Sequence, residues 1–283
     1  MEHATTLQEL QSVKDRFTLA GKKAVVTGAA GGIGRTTAAA FAELGADVAV
    51  WDIPARQEDA QLVADDLASR FGVQAMAVPV DVADAASVDA AFETVLGRFG
   101  ALDVVHSNAG IISGNDNLDM PIEEWDRMIR VNLTGMFLVD RRAAAIMRKA
   151  GTRGAIINTA SMSATLVNRA PDGTPHSMAY SASKAGVKHL TKAMAVELAL
   201  DGIRVNSVSP GVVISGIHDA FLGAMGISYD QFNAAARNAP FSVPMGRFGT
   251  LDEIGGIVAF LATDLASYIT GADILVDGGT TVW

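Results

Sequence analysis

The chain has 283 residues, 49% of them hydrophobic, with 28 glycines, no cysteine and a formal net charge of −9. That length suits one large domain or two small ones, with enough apolar content for a sizeable core. The acidic balance without a basic cluster argues against a nucleic-acid partner, and the missing cysteines exclude disulfides and thiol-based metal or redox chemistry. No 18 apolar residues run uninterrupted, so no membrane span is expected. The opening MEHATTLQELQSVKDRF lacks an apolar signal core, which makes the cytoplasm the expected location.

Residues 1–20 read as a polar N-terminal extension. Leu7, Leu10, Val13 and Phe17 form a weak helical stripe, and a frayed end is favoured over an arm that packs on a neighbour. Residues 23–27, KAVVT, read as a short buried strand. Gly28-Ala29-Ala30-Gly31-Gly32-Ile33-Gly34 follows, then a helix from about Arg35 to Leu44. Strand, glycine-rich turn and helix together make a phosphate site: glycines let the backbone approach a pyrophosphate, and the helix start offers unpaired N–H groups. The spacing is GxxxGxG rather than the commoner GxGxxG.

Residues 47–51 form the second predicted strand, and Asp52 stands at its end, where a dinucleotide fold places the acid for the ribose hydroxyls. A carboxylate there repels the 2′-phosphate of NADP, and the glycine turn offers no basic residue, with Arg56 the one nearby candidate. NAD is therefore the expected cofactor. The alternation continues with a helix over 57–71, a strand over 74–80 leading to Asp81-Val82, and a helix over 87–99 capped by Ser87. A strand over 102–106 leads to Ser107-Asn108-Ala109-Gly110. One long helix is expected over 122–149, a strand over 154–160 ending at Ser161, and a helix from Tyr180 to about Leu200. A strand over 203–208 leads to Ser209-Pro210-Gly211, and a helix near 251–262 and a strand near 272–276 close the chain. Strands alternating with helices give an α/β fold with a parallel sheet covered on both faces. No linker or second domain is visible, so 21–283 is read as one domain.

Tyr180 and Lys184 are four residues apart and share one helix face. A free Tyr titrates near pH ~10 and is a poor base at neutrality. An ammonium one turn away favours the phenolate, and a Tyr so tuned can exchange a proton with an alcohol or carbonyl oxygen.

These pieces together resemble the short-chain dehydrogenase/reductase family, over roughly residues 17–283. The resemblance rests on TGAAGGIG (27–34), Asp52, Asp81-Val82, SNAG (107–110), Asn132, Ser161, YSASK (180–184), SPG (209–211) and VDGG (276–279). It implies a Rossmann-type doubly wound sheet of seven parallel strands in the order 3-2-1-4-5-6-7, with cofactor along the C-terminal strand edge. It implies Tyr180 as acid/base and Ser161 as hydrogen-bonding partner of the reacting oxygen. Lys184 would bind the nicotinamide ribose and lower the Tyr180 pKa, and Asn132 would hold a relay water. Gly28, Gly31, Gly32, Ile33 and Gly34 would cradle the cofactor, Asp81 and Val82 the adenine, and Asn108, Ala109 and Gly110 the ribose. Pro210, Gly211, Val213 and Ser215 would lie beside the nicotinamide, Ser215 standing where the family often has Thr. Ser107 replaces the first Asn of the usual Asn-Asn-Ala-Gly. The resemblance also implies a homotetramer.

The interval from Ser161 to Tyr180 is longer than usual and resembles that of the polyol and ketose dehydrogenase branch. Its Asn168, Arg169, Asp172, Thr174 and His176, with Ser163, could hydrogen-bond a polyhydroxy chain. The stretch 212–245 reads as a lid, with His218 and Phe221 as candidate substrate contacts. Its apolar Phe221, Leu222, Met225, Tyr229 and Phe232 point instead to a hydrophobic or aryl alcohol or ketone, or simply to a helix pair packing on the body. No metal site is expected. Two further readings stay open: an NADP-linked ketone or acyl-thioester reductase, and a nucleotide-sensing protein without chemistry. Asp52 argues against the first and the full set of Asn132, Ser161, Tyr180 and Lys184 against the second.

Overall fold

The computed structural model describes residues 12–167, 177–215, 226, 228–237 and 243–282. Residues Asn168, His176, His218 and Phe221, Leu7 and Leu10 of the N-terminal stripe, and Leu222 and Met225 of the lid lie outside the described residues.

Seven strands alternate with helices: β1 (Lys23–Thr27), β2 (Asp47–Asp52), β3 (Ala75–Pro79), β4 (Val104–Ser107), β5 (Ala155–Thr159), β6 (Arg204–Pro210) and β7 (Asp273–Val276). They form one sheet in the order β3-β2-β1-β4-β5-β6-β7, and every pairing is parallel. In β2 the side chains alternate between two cores. Val48 and Val50 face one side, and Ala49 and Trp51 the other. Both sides are dry, which is why these strands read as unbroken apolar runs.

One layer holds α2 (Gly32–Glu43), α3 (Gln57–Phe71) and α9 (Leu251–Ala262). The other holds α4 (Ala85–Phe99), α6 (Met136–Ala150) and α7 (Met178–Leu198). Trp51 meets Phe92 edge-on, with ring centroids 4.7 Å apart, an arrangement worth about 0.5–1.5 kcal/mol beyond the area it buries. Short α1 (Val13–Arg16) leaves Val13 and Phe17 exposed. It is tethered by Arg16, whose guanidinium donates to the Asp264 carbonyl at 2.6 Å.

Several boundaries differ from the sequence reading. Helix α2 begins at Gly32, inside the glycine turn. The cap of α4 is Asp84, which accepts from the Ala86 amide; Ser87 turns back to accept from the Asp81 amide at 3.0 Å. The long helix is α5 (Ile122–Ile129) joined to α6 by a π turn over Arg130–Gly135, which contains Asn132. Such wide turns recur at functional sites. No helix among the described residues is long and apolar enough to cross a membrane.

Ser107 has a specific partner. Its hydroxyl donates to Asp140 Oδ1 at 2.6 Å, with both residues buried on the α6 side of the sheet. Burial pushes the Asp140 carboxyl up to about 7, against the hydrogen bonds from Ser107 and Asn158. The proton is thus retained in the fold over a pH range where the unfolded chain has lost it. Stability from this group is full below the unfolded carboxylate range, falls from about pH 4 to about pH 7, and is flat above. Replacing Asp140 by Asn keeps the acceptor for Ser107 and removes the titration. The Asp140→Asn variant should gain on the natural protein by a few kcal/mol as pH rises from 4 to 7, read from denaturant midpoints at each pH. Parallel curves for the two proteins would refute this.

Candidate functional site

A cleft of about 1440 Å³ runs along the C-terminal ends of β1 to β6. Parallel strands put all these ends at one edge, and the order reverses direction beside β1, so a crevice opens there.

The glycine turn forms one end. Gly28 takes φ +64°, and a Cβ there would come 3.0 Å from Ala109 Cα. Gly34 lies behind the wall rather than on it, and a Cβ there would stand 2.2 Å from the Gly28 carbonyl oxygen. Gly31 caps α2 without any side-chain hydrogen bond. The first amides of α2 are therefore open to an anion in the cleft, and Gly31, Gly32 and Ile33 line it. This donor set fits a dinucleotide pyrophosphate.

Asp52 also lines the cleft, with Oδ2 accepting from the Ala30 amide and Oδ1 from the Ile53 amide, each at 2.9 Å. The carboxylate is held rigidly while keeping further acceptor capacity. The glycine turn has a cation against it, the Arg56 that the sequence offered as the one nearby candidate. Arg56 donates to the Ala30 carbonyl at 3.2 Å, and its guanidinium would sit 3.3 Å from a Cβ on Gly31. Arg56 is paired with Asp59 at 2.9 Å, which offsets its charge. Arg35, in the first turn of α2, lines the same end. Its place directly after Gly34 was a signal the sequence reading passed over.

Asp81, Val82, Asn108, Ala109 and Gly110 line the middle of the cleft, and Pro210, Gly211, Val213 and Ser215 the far wall. The Asn108 and Ala109 amides both donate to Thr27 Oγ1 at 2.9 Å, and Asn108 Nδ2 donates to the Thr27 carbonyl at 3.1 Å. Val213 is fixed by a bridge to Gly249, and Gly211 by its amide to the Val276 carbonyl.

The candidate catalytic side chains lie where β5 and α7 converge. Ser161 and Tyr180 both line the cleft, and the Ser161 hydroxyl is near enough to favour the phenolate. Ser163 is bound to Ser161 twice, through its amide and its hydroxyl, each at 3.1 Å. Lys184 is buried, donates to the Thr159 carbonyl at 2.7 Å and lies 5.7 Å from the Tyr180 ring centroid. Burial lowers its pKa to about 8. In the protein alone, burial pushes the Tyr180 phenol up and outweighs the opposing influence of the Ser161 hydroxyl.

Asn132 has no exposed surface and does not reach the cleft wall. Its Oδ1 accepts from the Ile111 amide at 2.8 Å, and its Nδ2 donates to the Ile111 carbonyl at 2.9 Å and to Ser183 Oγ at 3.2 Å. Three of the side chain's four hydrogen-bonding positions are thus occupied, and one acceptor position on Oδ1 remains.

Three residues of the site were missed. His106, buried on β4, lies 2.9 Å through Nε2 from Thr159 Oγ1, which donates to Asn108 Oδ1 at 3.2 Å. Thr159 must therefore accept from His106, which fixes the neutral Nε2–H tautomer; burial and then the Lys184 charge hold the imidazole down at about 3. The third is Asp116, a buried carboxylate on the cleft wall. In the lid, Phe232 is not a substrate wall. It packs on Phe248 at 4.8 Å with Ala236 and Val243 in a small separate core. Tyr229 of α8 (Tyr229–Ala234) donates through its hydroxyl to the Ser215 carbonyl at 3.3 Å.

Comparison with known proteins agrees with this arrangement. The family model described as enoyl-(acyl carrier protein) reductase matches residues 28–281. The D-threitol dehydrogenase of Mycolicibacterium smegmatis is 39% identical over 98% of this chain and 99% of its own. The 3-oxoacyl-[acyl-carrier-protein] reductase FabG of Staphylococcus aureus is 40% identical over 91% of this chain and 97% of its own. A short-chain type dehydrogenase/reductase from Mycobacterium marinum superimposes with a TM-score of 0.86 at 40% identity, covering 96% of this chain and all of that one. With this sheet order, this cleft and these relatives, the chain belongs to the short-chain dehydrogenase/reductase family of oxidoreductases.

Proposed function

We propose that the protein transfers a hydride between NAD and the secondary alcohol of a polyol or sugar alcohol. The observation that carries the reading is the meeting of Ser161 and Tyr180 at one point of the cleft, with Lys184 behind them. Bound there, the nicotinamide would supply the two-electron chemistry and a positive ring. In the oxidation, Tyr180 takes the proton of the substrate hydroxyl while Ser161 donates to the developing alkoxide. Ser163 holds the Ser161 hydroxyl in line. Lys184, anchored on the Thr159 carbonyl, presents its remaining N–H donors to the ribose. A relay water beside Lys184 would be held at Asn132, whose Oδ1 keeps one acceptor position.

NAD is favoured by Asp52, whose rigid carboxylate suits ribose hydroxyls and repels a 2′-phosphate. Arg56 is the counterweight, lying against the same turn but neutralised by Asp59. A polyol is favoured by the polar wall near the reacting pair, where Ser113, Asp116, Ser163 and Ser177 line the cleft, and by the similarity to a D-threitol dehydrogenase. The aryl-alcohol alternative loses Phe232 to its own small core. The acyl-thioester alternative keeps the similarity to FabG in its favour.

Purified protein should reduce NAD with four- to six-carbon polyols and do so poorly with NADP. Turnover of apolar secondary alcohols alone would discard the polyol reading. Preference for NADP would assign Arg56 the 2′-phosphate, and Arg56→Ala would then abolish that preference.

Tyr180→Phe should lower kcat by roughly 100-fold or more while NAD still binds, read by quenching of tryptophan fluorescence. A variant that keeps turnover would remove Tyr180 from the reaction.

Because burial raises the Tyr180 pKa, the base form gains as pH increases. The oxidation rate should climb on the alkaline side and the reduction rate fall. Profiles with the opposite slopes would show that another group carries the proton.

A further inference from the structure

Helix α7 carries Tyr180 and Lys184, yet it begins without a cap of its own. Its N-cap, Ser177, makes no side-chain cap hydrogen bond and takes φ +80°, the only positive φ at a non-glycine position among the described residues. The first amides of a helix have no intrahelical partner and must be satisfied from elsewhere. Here they are satisfied by Asp116, 63 and 64 residues away in sequence. Its Oδ1 accepts from the Ala179 amide at 2.7 Å and its Oδ2 from the amide of Tyr180 itself at 2.9 Å. Its main-chain carbonyl accepts from the Ser177 amide at 2.8 Å, which holds the left-handed turn in place. The carboxylate is 3% exposed and stands at the positive end of the helix dipole.

The other side of the Tyr180 peptide is held as well. Ser183 Oγ donates to the Tyr180 carbonyl at 2.7 Å and accepts from Asn132 Nδ2, and Asn132 clasps both polar groups of Ile111. Ile111 and Asp116 lie on the same segment, which leaves β4 through Asn108, Ala109 and Gly110 along the cleft. The hydrogen bonds close a ring: Ile111, Asn132, Ser183, Tyr180 C=O, then Tyr180 N–H, Asp116 and back along the chain to Ile111. Both main-chain polar groups of Tyr180 are thereby referred to the segment that lines the proposed cofactor position.

We propose that Asp116 is a positioning residue for the reaction, pinning the Tyr180 main chain to the cofactor-lining segment so that the phenol stands at a fixed distance from the hydride acceptor. It touches neither reacting atom and acts through Tyr180. The proposal rests on the functional reading above, in which Tyr180 is the acid/base.

The test compares the natural protein with Asp116→Asn, which keeps one good acceptor, and Asp116→Leu, which keeps none. Amide hydrogen exchange is read at Ala179 and Tyr180, whose protection depends on the carboxylate. It should fall about tenfold or more in the Leu variant and less in the Asn variant. Steady-state kinetics with the best polyol should show kcat lowered roughly 10- to 100-fold in the Leu variant, with the KM for NAD within about twofold. The Asn variant should recover part of that loss. Unchanged exchange at both amides would overturn the proposal. So would lost protection with kcat intact, or a defect confined to the KM for NAD. If Asp116→Leu does not fold, the Asn variant decides on the same readings. A natural protein that turns over no alcohol fails the functional reading before any variant is read, and the exchange measurement still decides whether Asp116 holds Tyr180.

Discussion

The Thr27 hydroxyl is the contact on which the cleft depends. It ends β1 and accepts the amides of both Asn108 and Ala109 at the end of β4. These two strands are sheet neighbours on either side of the point where the connections reverse direction. Drawing the two chain ends together there opens the crevice between the helices that leave them. Gly28 then turns under Ala109, α2 starts with open amides, and the segment after Gly110 is directed toward α7. Loss of that hydroxyl would leave two buried amides without partners, a costly arrangement in a dry interior.

A second constraint is electrostatic. Lys184 and His106 are buried, Tyr180 is half-buried beside the cleft, and desolvation disfavours the charged form of each. The fold resolves this with directed hydrogen bonds rather than counter-ions. Lys184 is held by a carbonyl, His106 stays neutral and donates to Thr159, and Tyr180 stays protonated against Ser161. A site so arranged has little negative charge of its own beside Tyr180. The positive nicotinamide would then be the strongest influence favouring the phenolate, which ties proton transfer to the presence of the cofactor.

The third layer is mechanical. Asn132 lies in a stretch whose apolar period reads as one continuous helix, but the π turn around it aims its amide at the Ile111 backbone. Asp116 completes the connection from the other end of the same segment. Cofactor-lining loop and reacting helix are therefore one hydrogen-bonded unit, even though their residues lie in separate stretches of sequence.

The α/β class was legible in the chain because short apolar runs alternate with helical stretches, whereas the sheet order followed only from the resemblance to a known family. The cleft-lining residues at strand ends were legible too, since parallel strands bring their C-terminal ends to one edge. Boundaries set by side-chain competition were not: Asp84 displaced Ser87 as a cap, and the π turn split a helix whose apolar period is continuous. Arg56 was visible as a basic residue, but its packing against the glycine turn depends on how tightly β2 turns into α3. His106 and Asp116 carried no signal at all, one looking like a strand residue and the other like a polar loop residue. The sequence by itself determined the fold class and the order of elements along the chain, because those depend on local period and spacing, and its resemblance to a known family singled out Tyr180, Lys184 and Ser161 as candidates. Only the tertiary structure decided the protonation of Tyr180, the engagement of Asn132 and the anchoring by Asp116, because burial and contacts between distant residues are properties of the packed chain.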